Sequence, residues 1–194
     1  ETARILLNSR SVLFPNGVAN TSGQVGKNLT DTVGSHLAGH IPAMESLPPY
    51  NEDGAGGDHV YSPWWNYKNQ EKLGFARGYH IEVSGGRGMP GIGELAILES
   101  TSGGVYGKKL KEEARRYYGA SMRFTGRGEM IPNDDCYCEI DPGRIDQWGI
   151  PTLRFHWKWS DHEINQATHM QNTFADIITS MGGKATARTG KEAL

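Results

Sequence analysis

Gly78-Tyr-His-Ile-Glu-Val-Ser84 alternates apolar and polar side chains with a period of two, the signature of a strand with one buried face. Tyr79 and Ile81 point one way, His80 and Glu82 the other. Upstream, Gly34–Pro42 carries a looser alternation and is expected to be a second strand. Downstream, Ala120–Pro132 and Pro151–Trp159 read as long strands with a shorter one, Cys136–Ile140, between them. Two helices separate these runs. Lys108–Tyr118 places Leu110, Ala114 and Tyr117 on one stripe, offers a Glu112–Arg116 pair across one turn, and stops at Gly119. The second helix opens with Ser160-Asp-His-Glu163, a hydroxyl at the cap and a carboxylate three residues on. Ile164, Ala167, Gln171, Phe174, Ile178 and Met181 then recur at helical spacing up to Gly182-Gly183. Strands interleaved with two separated helices predict an α+β layer structure, helices packed on one face of a mostly antiparallel sheet.

The chain has 194 residues and a net charge of -2. A chain of this length can bury roughly 70% of its unfolded surface and needs neither disulfide nor metal to fold. The charge balance leaves no footprint for nucleic acid or an anionic membrane, and no apolar run reaches the roughly 20 residues of a membrane helix. Glu1 reads as a cut through a longer chain, so the localisation stays open. Twenty-six glycines predict many turns: Ser9–Asn28, Glu45–Asp58 and Ser84–Gly93 are loops, and Asp141-Pro-Gly and Gln147-Trp-Gly are turns. Glu94–Glu99 is a short apolar run that fits helix or strand.

Several motifs admit a chemical and a plain reading. Gly86-Arg-Gly-Met-Pro-Gly91 matches a dinucleotide fingerprint by letter, but Pro90 removes a backbone donor and no amphipathic helix follows. It reads as a glycine-rich connection. Cys136 and Cys138 lack the second pair that structural zinc requires and read as small buried residues on one strand face. The seven histidines match no zinc-enzyme spacing, so no metal site is expected; His36 and His40 share a strand face, and His162 sits in a first helical turn. His80 and His156 lie mid-strand among aromatics and are candidate substrate contacts or hydrogen-bonded sheet residues. Trp64, Trp65 and Tyr67 follow a Gly/Pro loop. Their flat faces suit the C–H face of a sugar ring, and equally a core cluster or a domain contact. Arg77, Tyr79 and Glu82 can add hydrogen bonds. The basic Lys108–Tyr118 helix is diluted by Glu112 and Glu113 and reads as a solvated face.

Glu1-Thr-Ala-Arg-Ile-Leu-Leu-Asn-Ser9, Pro15-Asn-Gly-Val-Ala-Asn-Thr-Ser-Gly23 and Val25-Gly-Lys-Asn-Leu-Thr-Asp31 occur in this order, followed by Arg77-Gly-Tyr-His-Ile-Glu82 and by Gly149-Ile-Pro151 with Trp159-Ser-Asp-His162. The series resembles the glucose–methanol–choline (GMC) oxidoreductases, specifically their bacterial sugar and polyol dehydrogenases. Thr32 stands where that family carries His after the Asp31 position. The resemblance implies a substrate-binding domain with a sheet of about six antiparallel strands roofing an FAD held elsewhere. The flavin fingerprint is expected before Glu1 and the catalytic His pair after Leu194, so no residue here is expected to be catalytic. Asn28 and Asp31 match the family's cofactor-contacting segment. Residues 1–33 are then expected to be a flavin-domain helix and connecting loop, 34–183 the substrate-binding domain, and 184–194 a polar tail leading to a C-terminal part.

The implied activity is oxidation of a CH–OH group of a sugar or polyol, with hydride passing to the flavin in the intact enzyme. The isolated chain is expected to be inactive and to bind no FAD, and its partner would be the flavin domain of the same polypeptide. Ile5, Leu6 and Leu7 are candidates for a docking patch. The alternative class is a stand-alone carbohydrate-binding module using Trp64, Trp65 and Tyr67.

Overall fold

The computed structural model describes residues 1–47, 60–65, 67–85, 103–186 and 188. Its elements are, in chain order, α1 (Thr2–Asn8), β1 (Thr32–His40), β2 (Val60–Trp65), β3 (Tyr79–Gly85), α2 (Gly107–Tyr117), β4 (Ser121–Glu129), β5 (Tyr137–Ile145), β6 (Pro151–His156), α3 (Asp161–Ser180) and β7 (Lys184–Ala185). Short 3-10 turns occupy Pro42–Met44 and Tyr67–Lys72. The fold is α+β with antiparallel sheets, as the sequence predicts. Gly86–Gly91, Glu94–Glu99, His59 and most of the Glu45–Asp58 loop lie outside the described residues.

The chain divides into two compact units. The larger, Thr32–Glu129 with Asp161–Leu194, is built on a five-stranded sheet ordered β2-β3-β4-β1-β7. Its central strand shows why the layers form. In β4, Phe124, Gly126 and Gly128 are buried while Arg123, Arg127 and Glu129 are exposed. Val33, Ser35, Leu37 and Gly39 of β1 and Tyr79 and Ile81 of β3 share the buried face. Helix α3 covers it: Phe174 stacks on Phe124 at 5.8 Å, and Gln171 Nε2 donates to Ser35 Oγ at 3.0 Å. Glycines let the helix sit close. A Cβ on Gly126 would come within 2.5 Å of Met170 Sδ, one on Gly39 within 2.6 Å of Ile178 Cγ2, and one on Gly128 would collide with the Gln166 amide. Phe174, Leu37, Met170 and Ile178 are almost wholly excluded from solvent, each worth about 1.5–3 kcal/mol of transfer free energy.

Helix α3 begins one residue after Ser160, at the predicted cap, and ends in a Schellman motif. Gly182 adopts φ +70°, its N–H donates to Thr179 O at 2.9 Å, and the Gly183 N–H donates to Ile178 O at 2.9 Å. The polar tail does not start at once, because Lys184 and Ala185 pair with His40 and Gly39 as an edge strand. Helix α2 buries none of its residues. The Glu112–Arg116 pair does not form. Arg116 reaches Glu45 at 2.5 Å and Glu113 at 3.8 Å, while Glu112 faces Lys108 at 3.7 Å. Glu45 wins because it is mostly buried and can accept a direct hydrogen bond from the Arg116 Nε–H. His36 is exposed; His40 is buried beside Tyr117, ring centroids 4.6 Å apart, with Nε2 2.8 Å from Glu45.

The smaller unit joins Glu1–Asp31 to Met130–Ser160. Strands β5 and β6 form a hairpin whose turn is organised by Asp146. The Asp146 carboxylate accepts from the N–H groups of Trp148 and Ile150, both at 2.9 Å, and from Arg4 Nη2 at 2.6 Å. The turn predicted at Asp141-Pro-Gly is instead absorbed into β5 as a register shift between Ile140 and Ile145. The Asp141 carboxylate accepts from the Gly143 N–H at 2.8 Å, which closes the local kink without reversing the chain. Cys136 and Cys138 are buried free thiols. Gly26 lies against this strand: its carbonyl accepts from the Cys138 N–H at 2.7 Å, at φ +85°, and a Cβ would strike the Cys138 carbonyl. Only glycine fits there without strain.

Candidate functional site

The sheet face opposite α3 carries the polar half of every alternating strand. In register, Thr32 faces Glu129, His80 faces Arg127, and Tyr61 faces Glu82. Polar side chains from four adjacent strands thus meet on one wall. There Tyr61, Arg77, His80, Arg127 and Glu129 line a cavity of about 690 Å³, within the range of small-molecule sites.

The wall is cross-linked by ion pairs. Arg77 contacts the Glu129 carboxylate directly. Glu82 Oε1 lies 3.1 Å from His80 Nε2 and 3.6 Å from Arg127 Nε. The Tyr61 ring meets His80 edge-on at 6.2 Å. Guanidinium, imidazole and phenol groups supply donors, and two carboxylates supply acceptors. Such a wall can bind a ligand rich in hydroxyls, each of which both donates and accepts.

Beneath the wall, the segment before β3 is tied to α3. Phe75 is buried with its ring centroid 5.3 Å from that of His169, and the Ala76 N–H donates to His162 Nδ1 at 3.2 Å. The Tyr79 hydroxyl lies 3.0 Å from His169 Nδ1 and 3.1 Å from Thr173 Oγ1. Burial holds the His169 imidazole below its ordinary pKa, favouring the neutral ring. His162 is therefore not the plain surface residue that its place in the first turn suggests.

Of the predicted contacts, His80 lies in the cavity. Trp65 is partly buried in β2; the backbones of Trp64 and Tyr67 run in β2 and the second 3-10 turn, and their side chains are outside the described ones. His156 belongs to the other unit, where it stacks on Tyr137 at 4.3 Å and contacts Glu139 at 3.0 Å. The Lys27 ammonium lies over the Tyr137 ring, 4.0 Å from its centroid. Asn28 and Asp31 are exposed in the smaller unit, Asn28 with φ +52°. Sequence reasoning missed Tyr61, Arg127 and Glu129. The alternation within Ala120–Pro132 was the signal that could have found the latter two. Among the described residues no His/Cys/Asp/Glu group is arranged to hold a metal ion, and no helix is long and apolar enough to cross a membrane.

No protein-family model matches the chain. Across 97% of its length it is 26% identical to the 2-methyl-1,2-propanediol dehydrogenase of Mycolicibacterium austroafricanum. Across 94% it is 26% identical to the fructose dehydrogenase large subunit of Gluconobacter japonicus. The chain spans about a third of the length of these curated relatives, 33% and 32% respectively.

Proposed function

We propose that this chain is the substrate-side portion of an FAD-dependent, GMC-type oxidoreductase acting on a CH–OH group of a sugar or polyol. The observation that carries the reading is the similarity along nearly the whole chain to two dehydrogenases about three times its length. The hydroxyl-suited wall of Tyr61, Arg77, His80, Arg127 and Glu129 supports it independently.

Asn28 and Asp31, the two positions that the resemblance links to the cofactor, are exposed in the smaller unit. The flavin would be held by another part of the polypeptide, with the sheet face as its roof. When bound, FAD supplies a hydride acceptor. The residues of this chain orient the substrate hydroxyls and keep the reacting carbon in place, and the general base lies outside it.

The test is expression of the full-length polypeptide, its flavin absorbance, and dye reduction with D-fructose, D-sorbitol and 2-methyl-1,2-propanediol. A flavoprotein that oxidises at least one of these is expected, together with no flavin binding by residues 1–194 alone. Tight FAD binding by the isolated chain, or a full-length protein with neither flavin nor oxidation, overturns the reading. A stand-alone 194-residue product with sugar affinity would put the carbohydrate-binding alternative in its place.

A further inference from the structure

Arg77 adopts φ +64°, in the left-handed region that disfavours a side chain. Gly78 follows directly, so a glycine was one position away. The conformation is over-determined by its neighbours. Phe75 is buried against α3, the Ala76 N–H is bonded to His162, and Tyr79 is anchored to His169 and Thr173. Backbone strain held in place from both sides is a mark of functional placement. Here its result is a guanidinium at the cavity wall, touching Glu129.

That ion pair is exposed: the Arg77 and Glu129 side chains are 58% and 59% accessible. An exposed pair is worth little to folding and opens easily. The wall is also balanced in charge, Arg77 against Glu129 and Arg127 against Glu82. An anionic ligand would take Arg77 from Glu129 and leave that carboxylate without its cation. A neutral polyol has no such conflict, because one hydroxyl can accept from the guanidinium while its neighbour donates to the carboxylate.

We infer that Arg77 and Glu129 form an openable clamp that binds adjacent hydroxyls of a neutral polyol, with Arg77 held in a strained backbone for that purpose. The inference assigns the hydroxyl-binding groups of the cavity and rests on the functional reading for where the polyol is used.

The test is calorimetric titration of the full-length protein with D-sorbitol, D-fructose and the anion D-gluconate, alongside thermal unfolding. Arg77→Gly relieves the backbone, and Arg77→Asn, which tolerates this conformation, is the second variant. Both should weaken sorbitol or fructose binding roughly tenfold, the loss of one charge-assisted hydrogen bond, with an unchanged or raised Tm. Gluconate should bind more weakly than sorbitol to the wild type. Unchanged affinity in both variants, no polyol binding by the wild type, or tighter gluconate binding overturns the inference. So does a Tm fall in both variants without loss of affinity, the mark of a purely structural arginine. A wild type that binds polyol through Arg77 but oxidises none sinks the functional reading and leaves the clamp standing.

Discussion

Gly126→Ala tests the layer contact on which the open wall depends. A methyl placed there meets Met170 Sδ at 2.5 Å, Met170 Cγ at 2.9 Å and Phe174 Cζ at 3.1 Å. Ordinary carbon contacts begin near ~3.5 Å, so Met170 must retreat by about 1 Å. Both neighbours are fully buried, and Phe174 is stacked on Phe124. Overpacking of this kind costs about 1–3 kcal/mol, while replacing a strand glycine returns about 0.5–1 kcal/mol. The middle of these ranges gives a net loss of about 1 kcal/mol, or a Tm lowered by about 2–4 °C at about 2–4 °C per kcal/mol for a chain of this size. The assay is urea unfolding followed by circular dichroism, with the slope unchanged and the midpoint lowered. Met170→Ala should partly rescue the variant, with a coupling on the order of 1 kcal/mol in the double-mutant cycle, since the two sites share one space. A Gly126→Ala protein as stable as the parent, or strictly additive effects, would refute the close approach of α3 to β4.

Gln166 is fully buried with neither amide atom hydrogen-bonded, so Gln166→Met should stabilise by about 1–3 kcal/mol, and a lower urea midpoint would contradict this. The Asp146 carboxyl is held below its ordinary pKa first by its hydrogen bond from Arg4, then by the Ile150 and Trp148 N–H groups. Its contribution is therefore present above about pH 3.9 and lost as pH falls through the lower folded value. Asp146→Asn should show a shallower acid limb in a pH series of unfolding curves, and an unchanged limb sinks the assignment. Burial lowers the His169 pKa, so the unfolded chain takes up the proton first. The penalty is absent above about pH 6.5 and grows as pH falls toward the folded value. His169→Gln should flatten that slope, and a slope identical to the parent's would show that another group titrates.

The face assignments were legible in the residues themselves. Period-two alternation put Tyr79 and Ile81 on one side and His80 and Glu82 on the other, and predicted two buried cysteines. The cap at Ser160 and the stop at Gly182 marked α3 to within a residue or two. Those signals are local, because a strand's pleat and a helix's ends are set by neighbouring side chains and unpaired backbone groups. Local signals failed where a distant partner competed. Arg116 prefers Glu45 to Glu112, four residues away. Asp141-Pro-Gly has turn chemistry yet stays within β5, because the chain reverses at the turn organised by Asp146.

The candidate site belongs to the tertiary structure. Parity shows which face a residue takes, but not which strand lies beside it or in what register. The order β2-β3-β4-β1-β7 sets β3 beside a strand about 40 residues later and β4 beside one about 90 residues earlier. That pairing brings His80 opposite Arg127 and Thr32 opposite Glu129. It follows from burying one apolar face under α3, a sum over many residues that no short segment contains, and it leaves the opposite polar face free to become a site.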